Sequence, residues 1–194
     1  MTVILIHDNV MLRPMKESDI KRLWNLTTPE LFTHMLNLIQ TIEEFEKWMR
    51  TSYEQMRHSE TSTVFVVAHL ETDELYGSTR IYNIDYANKA CEIGATYYGK
   101  AFQRTHINTK AKWLLLTYAF ETLGMIRVEF KTDEENLISQ KAIERLGAIK
   151  EGVIRNERIR STGKARNAVL YSIISSEWPS IKKKLENRMN IYSQ

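Results

Sequence analysis

Cysteine is almost absent from this chain, since Cys91 is the only one among 194 residues. A single cysteine cannot form a disulfide within the chain or supply a cysteine-based zinc cluster, and it fits a reducing compartment. Histidine is also sparse: five are scattered along the sequence, with no close pair at metal-ligand spacing. We therefore predict no metal site and expect packing to stabilise the fold.

Long apolar runs are missing as well. The longest, such as residues 64–68, are about a quarter of the roughly 20 residues that a membrane-spanning helix needs. Near the amino terminus only residues 3–6 are apolar, no basic segment precedes them, and polar residues follow directly. The sequence therefore predicts no membrane span and no secretory signal, and we expect a cytoplasmic protein.

Proline and glycine do not concentrate anywhere. The three prolines, at positions 14, 29 and 179, lie far apart, and no Pro/Gly/Ser-rich linker, repeat or low-complexity tract interrupts the chain. With 43% apolar residues, the chain can bury one well-filled core, so we predict a single domain over residues 1–194. Its net charge of +3 suits an anionic small-molecule ligand and lacks the strong basic bias of a nucleic-acid-binding protein.

The first half of the chain is predicted to contain helices followed by an antiparallel meander. Pro14 ends a short strand, and Ser18 or Asp19 can cap a short helix. Thr41 and Glu44 form a capping box in front of an amphipathic helix. Alternating and buried apolar patterns then predict three consecutive strands, at 64–68, 76–84 and 90–98.

The second half alternates between helices and strands. The predicted elements are helix 107–123 ended by Gly124, strand 126–131, helix 136–147, strand 148–154, a hairpin of 158–160 with 169–174, and a charged helix from 177. The strand, helix and strand over 126–154 predict a parallel crossover. The expected fold is α/β (α+β): a mixed, mostly antiparallel central sheet flanked by helices, with a crevice where antiparallel pairing changes to parallel.

The segment 99–109 lies between the last meander strand and the central helix. The unpaired backbone N–H groups of a first helical turn and the positive end of the helix dipole suit a phosphate or pyrophosphate. Gln103 and Arg104 add side-chain donors. Alternatively, Asn108 or Thr105 merely caps the helix, and the residues alone leave both interpretations open.

Several motifs occur together along nearly the whole chain. They are Leu12-Arg-Pro14 with Asp19, Glu92-Ile-Gly94, Gln103 to Ala111, Arg127-Val-Glu-Phe-Lys-Thr-Asp133, Asn136 to Gly147, and Tyr171-Ser-Ile followed by Ser176-Glu-Trp-Pro179. In this combination the chain resembles the GCN5-related N-acetyltransferase (GNAT) superfamily, in particular its RimJ/RimL-like branch. The resemblance implies a GNAT-like sheet with splayed central strands, acetyl-CoA as co-substrate, and direct transfer of its acetyl group to an amine.

The resemblance also implies which residues bind acetyl-CoA. Backbone groups of the last meander strand would pair with pantetheine, and the following loop would hold the pyrophosphate. These residues are Thr96, Tyr97, Tyr98, Gln103, Arg104, Thr105, His106, Ile107, Asn108 and Thr109, together with Asn136.

Two catalytic residues are implied in the same way. Glu92 lies eleven residues before Gln103, as does the catalytic glutamate of the superfamily's histone acetyltransferases. In an apolar setting its pKa would be raised, and it could take the ammonium proton directly or through water. Alternatively, Glu92 is an outward-facing residue paired with a cation. Ser139 matches a position used by the RimL-like branch, where it would face the CoA, or it only belongs to the cap of a helix.

Three residues depart from the family pattern. His106 and Asn108 stand where glycine, or glycine and alanine, are usual, and Ile143 stands where the superfamily has a tyrosine that protonates the thiolate. An imidazole adds bulk near the pyrophosphate, although an ordinary negative φ at His106 would let it point sideways. The departures keep a second hypothesis open, a non-catalytic CoA-binding or interaction module.

The acceptor is not specified by the sequence. The branch suggests a protein N-terminus, such as that of a ribosomal protein, and the same fold also acetylates small-molecule amines. Trp24 and Trp48 are expected in the core, with acceptor contact as the alternative. We expect no membrane partner, and a homodimer is compatible with the branch. Cys91 has no histidine beside it in the sequence and is expected to be buried and chemically idle.

Overall fold

One mixed sheet of eight strands organises the computed structural model, which describes residues 3–191. The strands are β1 (Leu5–His7), β2 (Val10–Pro14), β3 (Thr63–His69), β4 (Leu75–Asp85), β5 (Ala90–Tyr98), β6 (Arg127–Asp133), β7 (Ile149–Ile159) and β8 (Ala165–Ile174). Their order across the sheet is β1-β2-β3-β4-β5-β6-β8-β7. Every neighbouring pair is antiparallel except β5 and β6, so the mixed, mostly antiparallel sheet predicted from the sequence is confirmed.

In the described part of the chain, five α-helices cover the two faces of this sheet. They are α1 (Asp19–Trp24), α2 (Ile42–His58), α3 (Ile107–Thr117), α4 (Leu137–Leu146) and α5 (Trp178–Ile191). A π-helical turn, Tyr118–Thr122, continues α3, and short 3-10 turns occupy Pro29–Phe32 and Lys100–Phe102. None of the helices in the described part of the chain is long and apolar enough to cross a membrane.

Each face of the sheet has its own hydrophobic core. One face packs against α3, α4 and α5, with Phe65, Ile93 and Leu115 among its buried side chains. The other packs against α1 and α2, with Phe45 and Val66 buried there. The alternation of side chains along β3 supplies both cores, because successive residues of a strand point to opposite faces.

Local sequence signals fixed several element ends. The capping box of Thr41 and Glu44 is formed at the start of α2. Gly124 and Gly147 follow their helices with φ of +66° and +100°, a conformation that glycine adopts without steric cost. The predicted domain ends, residues 1–2 and 192–194, lie outside the described residues.

The predicted parallel crossover needs a correction. β6 and β7 do run in the same direction, but β8 lies between them and pairs antiparallel with both. The parallel neighbours are β5 and β6, which the helix α3 connects. The hairpin of β7 and β8 is longer than predicted and begins at Ile149, because the strands continue to pair on both sides of a register shift. The short strand β1 was not predicted.

The turn of this hairpin contacts the loop between α1 and α2. The Ser161 amide donates to the Leu36 carbonyl at 2.9 Å, and the Leu38 amide donates to Ser161 Oγ at 2.9 Å. Two segments far apart in the sequence are thereby joined above the α1 and α2 face of the sheet.

Candidate active site

The two central strands diverge. β5 pairs with β6 only through Ala90, Cys91 and Glu92, whereas it stays paired with β4 as far as Tyr98. Ala95 has φ +46°, and the register between β4 and β5 shifts beside it. Such a bulge bends the strand that carries it, which accounts for the separation of β5 from β6 beyond Glu92. The splayed central strands predicted from the sequence are present.

A cleft of about 760 Å³ lies at this gap. Its walls come from the α1–α2 loop, α2, the strands β4 to β6, the first turn of α4 and the β7–β8 hairpin. Four predicted site residues line it together, namely Glu92, Thr96, Asn136 and Ser139. Tyr97, Tyr98 and residues 103–109 do not line this cleft; they lie along β5 and at the start of α3.

Glu92 is buried, with 3% of its surface exposed, and both of its carboxylate oxygens have donors. Tyr82 donates its hydroxyl to Oε1 at 2.6 Å, and Asn83 donates its amide to Oε2 at 3.2 Å. Lys131 Nζ lies 2.9 Å from the same Oε2. Glu92 is therefore held in one orientation, with its charge facing a cation.

This environment differs from the apolar setting expected for Glu92. Burial and the charge of Glu92 raise the pKa of Tyr82, so its hydroxyl stays protonated and donates. Burial alone would lower the pKa of Lys131, but its contacts with Glu92 and Glu129 raise it. The apolar neighbours in the sequence misled the expectation because the strands on either side, β4 and β6, supply the polar partners.

Hydrogen bonds to the adjoining strands hold the loop before α3 in place. The amide of Gly99 bonds to the Tyr76 carbonyl at 2.9 Å, and Gln103 Nε2 bonds to the Tyr98 carbonyl at 3.0 Å. Arg104 has φ +60°, which turns the chain into the helix. Thr105 Oγ1 accepts from the Ile107 amide at 3.3 Å, but His106 occupies the N-cap position and the helix has no side-chain cap hydrogen bond, so neither Thr105 nor Asn108 is the cap of α3.

Beyond Ile107, the first-turn amides of α3 remain available for a ligand. Asn108 and Thr109 belong to this turn, where the N–H groups have no acceptor within the helix. His106 has φ −67°, an ordinary value that does not require glycine. Burial and then Lys110 lower the pKa of His106 against the opposing effect of Asp8, so the imidazole is neutral at pH 7.

The first turn of α4 borders the cleft. Asn136 Oδ1 accepts from the Ser139 amide at 3.0 Å and thus caps the helix. Both residues also line the cleft, so capping and ligand contact are compatible. Ile143 is buried in the core on the α3 and α4 face, so it offers no proton donor.

Sequence reasoning missed Lys112, a buried lysine on α3 with 6% of its surface exposed. Its ammonium donates to Thr79 Oγ1 at 3.0 Å and to Thr96 Oγ1 at 2.7 Å, and the two hydroxyls are 2.8 Å apart. Burial lowers the pKa of Lys112 to about 7. The only sequence signal was a lysine at a position where helical spacing predicts a buried face.

Sequence reasoning also missed Arg80, which lines the cleft from β4. Its guanidinium lies 4.5 Å from the ring centroid of Trp48, a cation–π contact. The alternative of acceptor contact therefore remains open for Trp48, which lines the cleft, whereas Trp24 packs against Phe45. A charged residue in a strand of mostly buried residues was the signal that could have revealed Arg80.

Cys91 is buried, and burial, followed by the charges of Glu129 and Glu92, raises the pKa of its thiol to about 12. The thiol is thus protonated at neutral pH, which agrees with an idle residue. Among residues 3–191, one trio of potential metal ligands, His34, Asp133 and Glu135, has atoms within 4.8 Å of one another. Arg160 already donates to Asp133 at 2.5 Å, and the prediction of no metal site stays a prediction.

Comparisons with known proteins agree on a family. Residues 9–149 match the family model described as acetyltransferase (GNAT) domain. The Bacillus subtilis (strain 168) protein named "Putative ribosomal N-acetyltransferase YdaF" is 34% identical over 108 residues, which cover 56% of this chain and 58% of that protein. "Uncharacterized N-acetyltransferase p20" of Bacillus licheniformis is 30% identical over 118 residues, 59% of this chain and 63% of that protein. The matched part spans less than two thirds of either relative.

A solved structure extends the likeness over the whole fold. The crystal structure of a GCN5-related N-acetyltransferase from Brucella melitensis has a TM-score of 0.86 and 27% sequence identity. The match covers 96% of this chain and 85% of that one. The splayed sheet, the cleft and the loop before α3 thus occur in a fold that solved acetyltransferase structures share.

Proposed function

The chain belongs to the acetyltransferase (GNAT) family, and from this we propose that it is an N-acetyltransferase that moves an acetyl group from acetyl-CoA directly to an amine. The observation that carries the proposal is the buried Glu92 at the point where β5 and β6 separate, in a cleft that the first turn of α4 also borders. A carboxylate fixed at the opening between two strands is placed to receive a proton from an amine.

The residues present fit acetyl-CoA. Among the described residues 3–191, no strand pairs with the β6 side of β5 from Ile93 to Tyr98, so the backbone groups there can pair with an extended ligand. The amides at the start of α3 suit a pyrophosphate, and the negative φ of His106 leaves them accessible. We propose that Thr96, Tyr97 and Tyr98 hold the pantetheine and that residues 103–109, with Asn136, hold the rest. When bound, acetyl-CoA supplies an acetyl thioester.

Within this proposal Glu92 acts as general base. The acceptor reaches the cleft as an ammonium, and Glu92 takes its proton directly or through water. Tyr82 and Asn83 keep the carboxylate in place, and Lys131 compensates the negative charge between turnovers. A backbone N–H of the splayed strand polarises the carbonyl under attack. Because Ile143 cannot donate, we propose that the Ser139 hydroxyl would pass to the departing thiolate the second proton that the amine nitrogen loses on bonding to the acetyl carbon, and so would itself end as a hydroxyl.

The test of this proposal is a comparison of Glu92→Gln with Glu129→Gln. Glu129 also contacts Lys131, at 3.2 Å, but does not line the cleft, so it is the matched control. Release of the CoA thiol is measured with a panel of amines. We expect Glu92→Gln to lower kcat about 100-fold or more, with the KM for acetyl-CoA nearly unchanged, and Glu129→Gln to retain turnover. Equal kcat for Glu92→Gln and the wild type across pH would remove Glu92 from the mechanism.

The non-catalytic module remains the second candidate because of Ile143 and His106. Calorimetry with acetyl-CoA on the wild type and His106→Gly distinguishes the two functions together with the thiol assay. Binding without turnover on any amine supports the module, and turnover eliminates it. Binding that appears only in His106→Gly would contradict the fit proposed for the α3 amides.

Partners and location are also proposals. The name of the B. subtilis relative supports a ribosomal-protein N-terminus as one acceptor, beside a small-molecule amine. The buried free cysteine supports a cytoplasmic location. A homodimer is proposed from the exposed apolar residues Ile149, Val153 and Ile159 on the outermost strand β7, and light scattering of the purified protein tests it.

A further inference from the structure

Arg80 occupies an unusual position on β4. It lies opposite Val64 on β3 and Gly94 on β5, in the middle of the sheet. Its side chain extends along α2, where Nη2 lies 3.6 Å from Met49 Sδ and the guanidinium faces the ring of Trp48. It lines the same cleft as Glu92.

The other charged groups lining the cleft already have partners. Lys131 pairs with Glu92 at 2.9 Å, and both Arg158 and Arg166 pair with Glu157, at 3.0 and 2.6 Å. Within residues 3–191, Arg80 makes no ion pair, and its Nε is a buried donor without a hydrogen-bond partner. Burial lowers the pKa of Arg80 to about 10, so the group still carries its charge at pH 7. The cleft thus contains one cation that no carboxylate of the described chain compensates.

A partly buried guanidinium without an anion is energetically costly. The stacking on Trp48 compensates this only in part, and it occupies the face of the guanidinium rather than its edge. The N–H donors of arginine point outward in the plane of the group, where they match the two oxygens of a carboxylate. The edge of Arg80 contacts only a weak acceptor of the described chain, Met49 Sδ, and therefore fits a ligand that brings a carboxylate.

The opposite charge is nearby in the same cleft. Arg80 and Tyr82 are two residues apart on β4, so their side chains share a face of the strand, and Tyr82 holds Glu92. Neighbouring positions thus present a carboxylate that can bind an ammonium and a guanidinium that can bind a carboxylate. We propose that the acceptor is an amine that also carries a carboxylate, with Arg80 binding the carboxylate while the amine faces Glu92. This rests on the proposed function and assigns Arg80 as a specificity-determining residue.

The experiment compares matched acceptors on the wild-type protein. Amino acids are tested beside their carboxamides, which keep the amine but lack the negative charge and resemble a peptide N-terminus. The kcat/KM for acetyl transfer is expected to be about tenfold to a hundredfold higher for the carboxylates. Equal or higher kcat/KM for the carboxamides would overturn the proposal and favour a backbone carbonyl, as in a protein N-terminus.

Variants of Arg80 test whether this residue causes the preference for carboxylate acceptors. Arg80→Gln is expected to reduce the ratio of kcat/KM for the carboxylate to kcat/KM for the carboxamide to near one. Arg80→Lys is expected to retain part of this ratio. Arg158→Gln is the matched control, because Arg158 lines the same cleft but already has a partner, and it should keep the full ratio. A ratio that Arg80→Gln leaves unchanged would contradict the assignment.

A binding measurement distinguishes failure of this inference from failure of the proposed function. Calorimetry with the same ligand pairs, in the presence of CoA, requires no turnover. Carboxylate binding that Arg80→Gln weakens about tenfold or more supports the inference even where no acetyl transfer occurs. Acetyl transfer without a preference for carboxylates leaves the function in place and overturns the inference, and so does the absence of both transfer and carboxylate binding.

Discussion

Replacing Lys112 with methionine should make the protein more stable at neutral pH. Burial lowers the pKa of this lysine from its ordinary 10.5 to about 7. At about 1.4 kcal/mol for each pH unit, holding the charged ammonium in the fold costs up to ~5 kcal/mol relative to the unfolded chain. Methionine has a similar unbranched shape and no charge, and the hydroxyls of Thr79 and Thr96 can bond to each other, 2.8 Å apart. Allowing for two lost hydrogen bonds, we expect a gain of ~2–4 kcal/mol at pH 6.

The lowered pKa of Lys112 also determines how the stability of the protein changes with pH. Between pH 7 and 10.5 the unfolded chain binds a proton at Lys112 that the folded chain does not bind, so stability rises with pH in this window. The cost is fully present below pH 7 and vanishes above 10.5. The stability advantage of Lys112→Met should therefore narrow by ~3–4 kcal/mol between pH 7 and 10.

Urea denaturation at a series of pH values measures this directly. Lys112→Arg is the control, since a guanidinium keeps its charge throughout and should hold the stability low up to pH 10. If the stability of the wild type and that of Lys112→Met changed in parallel from pH 6 to 10, the lowered pKa of Lys112 would be refuted.

Two further predictions concern other buried groups. Asp19→Asn should lower the free energy of unfolding in urea by ~3 kcal/mol, because the buried Asp19 accepts from Arg13 at 2.6 and 2.8 Å. Asp73→Asn should cost ~1 kcal/mol or less, because 42% of the Asp73 side chain is exposed. Equal effects of the two substitutions would contradict the weight given to burial. Cys91 should react with iodoacetamide at pH 8 only on unfolding, since burial raises its pKa to about 12, and labelling of the folded protein as fast as in urea would show that the thiol is accessible.

Local chemistry was readable from the sequence. Thr41 with Glu44, Gly124 and Gly147 marked helix ends because capping and left-handed turns depend on a few adjacent residues. The segment 99–109 was found for the same reason, since its position between a strand and a helix follows from hydrophobic periodicity.

Long-range partners were not readable. Lys131 meets Glu92 across 39 positions, and Lys112 meets Thr79 across 33. The first contact requires β5 and β6 to be neighbours, and the second requires α3 to lie against β4; the sequence pattern showed neither. The polar surroundings of Glu92, like the unpaired guanidinium of Arg80, follow from that arrangement and from the register of β4 against β5.

The contact of Ser161 with Leu36 and Leu38 restricts access to the cleft on one side. Leu36 lines the cleft, so the bridge closes one side of it with a span of backbone. Under the proposed function, we expect an acceptor amine that enters on this side to pass this span of backbone as a narrow group. A small molecule or a chain terminus meets that requirement, whereas a lysine on a broad folded surface would first have to break the bridge, at about 1 kcal/mol for each of its two hydrogen bonds.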